Sequence, residues 1–453
     1  MIPAAHLVDR VLELATVDET IVIVTDASEA SLRWAGNSMT TNGVSTLREW
    51  TVISIVRTGN TAKVGIVTSS SVDPRETAAV VAASEHAARA ARPASDTMPL
   101  HNGDGADCTW DHPPAHTEIG AFEQLAQDLS QGFDHTDQLY GFAHHQLHTT
   151  WLGTSTGIRR RHVQPTGSVE INGKRGDASA WVGAETTDFT DLATTKMLEE
   201  LSNRLDWSAR RIDLPAGRYE TILPPSAVAD LMISLMWSME GRAAHEGHSA
   251  LSTAGGTRLG ERLSDIPLTL YSDPVALGLE TAPFLATAHS DESVSVFDNG
   301  MELERTDWIR DGVVNALAYP RSAAQEFGAT AAPPGANLVL DGEGSVGLEQ
   351  MIAETERGLL LTTLWYIREV DPAALLLTGL TRDGVYLVED GDIVGEVNNF
   401  RFNESPLDLL RRATQVGATQ RTLPREWKDW FTRTSMPSLR IPDFHMSSVS
   451  KAQ

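Results

Sequence analysis

The sequence predicts an α+β protein in two parts: an N-terminal α/β domain over 1–210 and a β-rich C-terminal domain over 217–445. Three observations carry this. Helix-period and strand-period patterns alternate through the first part. The segment DWSARRIDLPAG at 206–217 then breaks both periods with Pro215 and Gly217. Beyond it the clearest signals are short strand-like runs separated by Asp-Gly turns. With 453 residues, 41% hydrophobic and 21% charged, each part is long enough to bury its own core.

In the N-terminal domain Leu7, Val11 and Leu14 share a helical face, and the β-branched run 20–24 is a strand. Segments 51–57 and 61–68 flank Gly59-Asn60, a two-residue turn that closes a hairpin. An alanine-rich helix over 75–91 ends before Pro93. Residues 93–116 lack periodicity and are rich in Pro, Asp, Gly and His, which predicts a long surface loop. Four strands are expected over 139–150, 151–162, 167–171 and 178–182, with Asn172-Gly173 as a hairpin turn. A helix over 189–205 closes the domain.

The C-terminal domain opens with a strand over 219–223. Pro224-Pro225-Ser226 then starts a helix with Ser226 as N-cap. Val228, Leu231, Met232, Leu235, Met236 and Met239 make one apolar stripe along it, so these methionines are core and not a metal box. Strands follow at 266–271 and 294–297, with turns at Asp298-Asn299-Gly300 and Asp311-Gly312 and a short helix at 347–356. Further strands are expected at 359–370, 375–380, 385–389 and 393–398, the last two about Asp390-Gly391. Ser405-Pro406-Leu407-Asp408 is a capping box with Pro at the first helical position. The remaining tail is polar and reads as frayed.

Composition excludes several function classes. The net charge of −25 opposes binding to nucleic-acid phosphates and to anionic membranes. The basic run Arg159-Arg160-Arg161 lies in strand-like sequence and reads as a strand face paired with local acids. A single cysteine, Cys108, excludes an internal disulfide and any multi-thiolate site, and fits a cytoplasmic location. The opening residues show no signal-peptide pattern, and the apolar run at Leu359-Leu360-Leu361 is too short to cross a bilayer. His101, His112 and His116 share the 93–116 loop with Cys108, in no metal-ligand spacing. His144 and His148 share one strand face, and His145 faces the opposite way.

The cluster that looks most like a catalytic site is His245-Glu246-Gly247-His248. A hydrolytic zinc needs imidazole or carboxylate ligands and a Glu to take a proton from bound water. The spacing here is H-E-x-H, not H-E-x-x-H. Residues three apart lie about 60° off a common axis on a helix. Gly247 also weakens a helix by about 1 kcal/mol relative to Ala. The alternative is a polar helix end, with both histidines near the negative end of the helix dipole.

Four segments carry a resemblance to the TldD/PmbA family of peptidases, also called modulators of DNA gyrase. They are GTSTGIRRRHVQPTGSVEINGK (153–174), GRYETILPPSAVADLM (217–232), GERLSDIPLTLYSDP (260–274) and REVDPAALLLTGLTRDGVYLVEDGDIVGEVNNFRFNESPLDLL (368–410). The resemblance implies a barrel-like C-terminal domain and a heterodimer of two paralogous chains. The catalytic chain is a zinc peptidase with H-E-x-x-x-H on a helix and a late cysteine ligand. Here Met239 and Ala244 stand where that motif has its histidines, Glu240 alone remains, and no cysteine follows Cys108.

The expected function is therefore that of a TldE-like, non-catalytic subunit. It binds no metal alone, pairs with a TldD-like, zinc-bearing chain and helps process unfolded peptide, with no role for nucleic acid or membrane. The alternative is an autonomous metal-dependent hydrolase that uses His245, Glu246 and His248. Asn399, Arg401, Asn403 and Glu404 are the candidate cleft residues, with Arg401 suited to a peptide carboxylate. Against that, Phe400 and Phe402 fill core, and Asn403 and Glu404 shape a turn.

Overall fold

The computed structural model describes residues 2–103, 105–134 and 137–450. In the N-terminal part, α1 (Ala4–Leu14) precedes a meander of β1 (Glu19–Ala35), β2 (Met39–Thr58) and β3 (Thr61–Ser69). Gly59-Asn60 closes the β2–β3 hairpin, with Thr58 opposite Thr61. Then come α2 (Thr77–Ala90), α3 (Glu123–Gly132), β4 (Gln138–Thr154), β5 (Ile158–Arg175), β6 (Ala178–Thr186) and α4 (Thr194–Trp207). The sheet order is β3-β2-β1-β4-β5, with β6 and residues 105–106 both on the far edge of β5.

The strands outrun their sequence signal. β1 continues to residue 35 because every second side chain stays buried, but two of these, Asp26 and Ser28, are polar and mask the alternation. Trp151 lies inside β4, and the turn expected near it falls at 155–157, where Gly157 takes a positive φ. Asn172-Gly173 is not a turn. Asn172 sits mid-strand between Tyr140 and Trp181. Gly173 is small because α4 crosses it, and a Cβ there would lie 3.0 Å from the Leu201 side chain. The hairpin turns instead at Gly176-Asp177, with Gly176 at φ +61. α4 starts at Thr194, not 189, because Phe189 adopts φ 67 in a turn held by the Thr186 hydroxyl.

One face of this sheet packs α1 and α2 on Val22, Val24, Trp50 and Trp151, and α3 and α4 on Ala30, Leu32 and Trp34. The other face, through Ile21, Ile53 and Ile55, packs on Phe284, Val296 and Phe297 from the C-terminal part. Polar seam contacts include Ser179 to Asp383 at 2.7 Å and Arg421 to Glu185 at 2.5 Å.

The C-terminal part begins with β7 (Gly217–Leu223), α5 (Pro225–Trp237) and α6 (Gly241–His245). It continues through β8 (Thr269–Ser272), β9 (Thr306–Arg310), α7 (Arg321–Phe327), β10 (Leu338–Asp341) and α8 (Leu348–Ala353). Last are β11 (Arg357–Leu361), β12 (Leu364–Asp371), β13 (Leu376–Thr381), β14 (Val385–Glu389), β15 (Asp392–Val397), β16 (Phe400–Glu404), α9 (Pro406–Arg412) and β17 (Leu439–Val449). One sheet runs β12-β13-β16-β17-β7-β11-β14-β15 and ends on Arg211–Ile212; a second is built on β9-β8-β10. Neither sheet closes, so the barrel-like expectation becomes two open sheets about a central helix.

That helix, α5, is buried all round. Ala227, Ala229 and Ile233 are as inaccessible as the expected stripe, so the helix is enclosed and not laid on a surface. Pro224 occupies the N-cap and Pro225 the first helical position, so Ser226 lies inside the first turn. Segment 294–297 is not a strand; it runs into the 3₁₀ turn Val296–Asp298. The run 359–370 splits at Thr362-Thr363, since β11 pairs with β7 and β14 and β12 pairs with β13. α9 starts at Pro406 as expected, but the Ser405 hydroxyl donates to the Ala374 carbonyl and makes no cap bond.

The largest correction is the tail. β17 lies in the interior of the large sheet, between β16 and β7, and buries Leu439, Ile441, Phe444 and Met446. A bulge between Ile441 and Phe444 shifts the alternation, which hides the strand from a period-two reading. Among the described residues no helix is long and apolar enough to cross a membrane.

Candidate functional site

The family resemblance points to the junction of α5 and α6, and local backbone chemistry explains its shape. α5 stops at Trp237, and residues 238–240 leave helical geometry. Ala318 clamps the break: its N–H donates to Met239 O at 2.7 Å, and its carbonyl accepts from Gly241 N at 2.8 Å. Glu240 is thus the extended N-cap of α6, not a residue within a continuous helix. Gly241 is required here, because a Cβ would come within 2.0 Å of the Tyr319 ring.

Met239 and Ala244 are both fully buried in the apolar core. The half-buried Glu240 carboxyl is held above its usual range, first by burial and then by the negative Asp291 and Glu292. His245 stacks flat on Phe327, with ring centroids 4.2 Å apart and planes 4° from parallel. Glu246 receives Arg242, which also pairs with Glu292 and Glu326. Gly247 turns the chain at φ 83, leaving His248 73% exposed with Nδ1 3.8 Å from Glu246.

These residues do not form a zinc donor set at the position the resemblance assigns. A methionine and an alanine sit in the core there, and His245 and His248 lie on opposite sides of a glycine turn. Among the described residues no group of three His, Cys, Asp or Glu converges as metal ligands. Cys108 is free and exposed.

The other candidate residues are dispersed. Glu29 lies between His144 (3.6 Å) and His148 (3.9 Å) on one face of β4. On the opposite face His145 is buried between the Thr117 hydroxyl (2.6 Å) and the Thr187 carbonyl (3.0 Å), and burial holds its pKa below the usual value. The arginine run pairs locally: Arg159 with Asp9, Arg160 with Asp107, and Arg161 over the Trp151 ring. On β16, Phe400 and Phe402 are core, and Arg401 and Asn403 turn to the opposite face. Arg401 is exposed and reaches the Thr378 hydroxyl at 3.4 Å. Asn399 precedes the strand and accepts from the Thr381 hydroxyl at 3.4 Å. Glu404 is buried, pairs with Arg412 and accepts the His445 N–H at 2.6 Å, so its carboxylate serves the core.

Sequence reasoning missed two features near the α5–α6 junction. Trp237, at the end of α5, meets Trp427 edge-on at 4.9 Å, beside the exposed Tyr366 and Trp430. This aromatic group is built on Asp230, buried in α5, which accepts the backbone N–H groups of Arg425 (3.3 Å), Glu426 (2.9 Å) and Trp427 (3.3 Å). Glu426 in turn accepts the N–H groups of Tyr366 and Ile367. The available signal was the density of aromatics in EWKDWF at 426–431. The second feature is a cavity of about 540 Å³ lined by Asp273, Leu303, Arg305, Asp307, Tyr319 and Asn337.

The model of the PmbA/TldA metallopeptidase C-terminal domain matches residues 216–448. TldE from Thermococcus kodakarensis is similar in structure, with a TM-score of 0.77 and 16% identity over 98% of this chain and 99% of that one. A proposed modulator of DNA gyrase from Bacteroides thetaiotaomicron has a TM-score of 0.77 and 14% identity, over 98% of each chain. One from Thermotoga maritima has a TM-score of 0.77 and 16% identity, over 97% of this chain and 99% of that one. At these identities the structural likeness shows the fold alone. Comparison with curated proteins returns no match.

Proposed function

Because the chain belongs to the TldD/PmbA family of metallopeptidases, we propose that it is the non-catalytic subunit of a peptidase pair. It docks on a TldD-like chain that carries the zinc, and it helps enclose unfolded peptide substrate. The observation that carries this reading is the burial of Met239 and Ala244, which the sequence resemblance aligns with the family's histidine ligands. Apolar side chains there are part of the packed core, so restoring a metal site would take more than exchanging two residues.

The test is co-purification with a TldD-like chain, followed by peptide-cleavage assays on each chain alone and on the mixture. Cleavage that needs the mixture, and is lost when the partner's ligands are mutated, is the expected result. About one zinc per isolated chain, lost in His245→Ala, would overturn the proposal in favour of an autonomous hydrolase built on His245, Glu246 and His248.

A further inference from the structure

The outer edge of β2 is only half covered. β3 pairs with it from Trp50 to Thr58. Among the described residues, 39–49 pair only with β1 on the inner side, so their outward N–H and C=O groups face no described strand. From Met39 to Leu47 every side chain is exposed. Natural sheet edges are usually blunted by lysine, proline, inward charge or a bulge. Here 41–47 contains no charged residue and no proline; such devices sit only at its flanks, where the register shift leaves Thr40 as an extra residue on β2 and the buried Arg48 follows.

A cavity of about 630 Å³ opens where this edge ends, lined by Pro3, Ala5, Thr46, Leu47, Pro114 and Trp151. Arg48 holds Asp26 through two bonds of 2.5 Å and donates a third to the Ile2 carbonyl, Asp111 is exposed, and Pro3, Ala5, Leu47, Pro114 and Trp151 give the cavity a largely apolar wall. The space therefore favours an apolar side chain. An open row of backbone groups beside a side-chain pocket is the arrangement by which sheets take up an added strand, the ladder giving affinity and the pocket selectivity.

We infer that residues 41–47 of β2 form a strand-addition site for an extended peptide, which places one apolar side chain in the cavity beside Leu47. Large apolar side chains exposed on this edge are confined to Met39, Val44 and Leu47. That is too little for a subunit interface, which needs about 800 Å² per partner. Two chains of net charge −25 also repel one another, whereas an uncharged edge accepts backbone of any sequence. The inference does not rest on the partner-subunit reading, because a peptide can add here whether or not a second chain docks elsewhere.

The probe is a fluorescein-labelled, uncharged peptide of alternating Thr and Val with a central Leu, beside an analogue N-methylated at alternate amides. Anisotropy measures binding, and hydrogen exchange maps it. Expected are protection of the 41–47 amides and binding weakened about tenfold by methylation or by Val44→Lys with Leu47→Lys. Both side chains are at least half exposed, so the variant folds. Equal binding of the methylated analogue, protection elsewhere, or no binding would overturn the inference. So would a concentration-dependent dimer lost in the double variant, which assigns the edge to a second copy. Loss of co-purification with the catalytic chain in that variant would assign it to the subunit interface, and also overturns it.

Discussion

The two parts of the molecule differ in how their strands find each other and in which ionisable groups they bury. In the N-terminal sheet nearly every pairing joins strands adjacent in sequence, β1–β2–β3 and β4–β5–β6, with β1–β4 the one long-range step among them. Its buried titratable groups include His145, held neutral by burial. In the C-terminal part β7 pairs with β11 and β17, and β13 pairs with β16. There the enclosed helix carries a carboxyl, Asp230, which burial pushes well above its usual range against three opposing backbone N–H donors. One part is assembled from local hairpins; the other needs distant segments and a buried polar joint to hold them.

The strongest test of that contrast is Asp230→Ala. It strands three backbone N–H groups under a packed helix and is expected to cost about 4 kcal/mol in urea unfolding. Hydrogen exchange should rise over 425–431 and leave residues 19–69 protected. Equal loss of protection in both places would show that the parts do not differ as described. Next is Gly65→Ala, where a Cβ would lie 2.2 Å from the backbone of Ser84 and Ala88 on α2. The expected cost is about 3 kcal/mol, with exchange confined to β2, β3 and α2.

Arg425→Ala probes the seam. Its guanidinium lies between the rings of Trp181 (4.9 Å) and Trp365 (4.8 Å) and reaches Glu170 at 3.2 Å. Removing it should cost about 2 kcal/mol and broaden the unfolding transition as the parts uncouple. A sharper single transition would refute the coupling role.

The smallest effect is in pH. His145, His148 and His162 have folded values below 6.5, with burial the first cause. Their contribution is complete above pH 6.5 and is lost as pH falls below it. Glu240, Glu396 and Glu404 are raised from 4.5, again by burial first, so their contribution is present below pH 4.5 and is lost as pH rises above it. Between these values the two parts should move in opposite directions in region-resolved exchange corrected for intrinsic rate. Glu185 on β6, pushed up to about 7, follows the carboxylates from its place on the seam. A common direction in both parts would remove the electrostatic half of the comparison.

How much was legible in the sequence follows from the same contrast. The hairpins at Gly59-Asn60 and Asp390-Gly391 were readable because turn and flanks are contiguous. The helix at 225–237 was readable because its apolar period survives full burial. Asn172-Gly173 misled because its glycine answers to a crossing helix 28 residues later in sequence, at Leu201, and not to its own backbone. β17 was missed because a bulge breaks its alternation. At the candidate site the apolar character of Met239 and Ala244 was plain in the sequence, and both are buried. The break at 238–240 was not plain there, because it is imposed by Ala318.

The interior position of β17 also has a consequence for synthesis. Leu223 of β7 pairs with Leu439, so β7 leaves the ribosome long before that partner exists. At roughly 5–20 residues per second the interval is on the order of ten to forty seconds. Throughout it the nascent chain carries α5, a helix buried all round in the finished fold, without the strands that enclose it. The N-terminal hairpins can by then be complete. The vulnerable species in a cell is therefore a tethered half-protein, and slow elongation or scarce chaperones should reduce yield through the C-terminal part first.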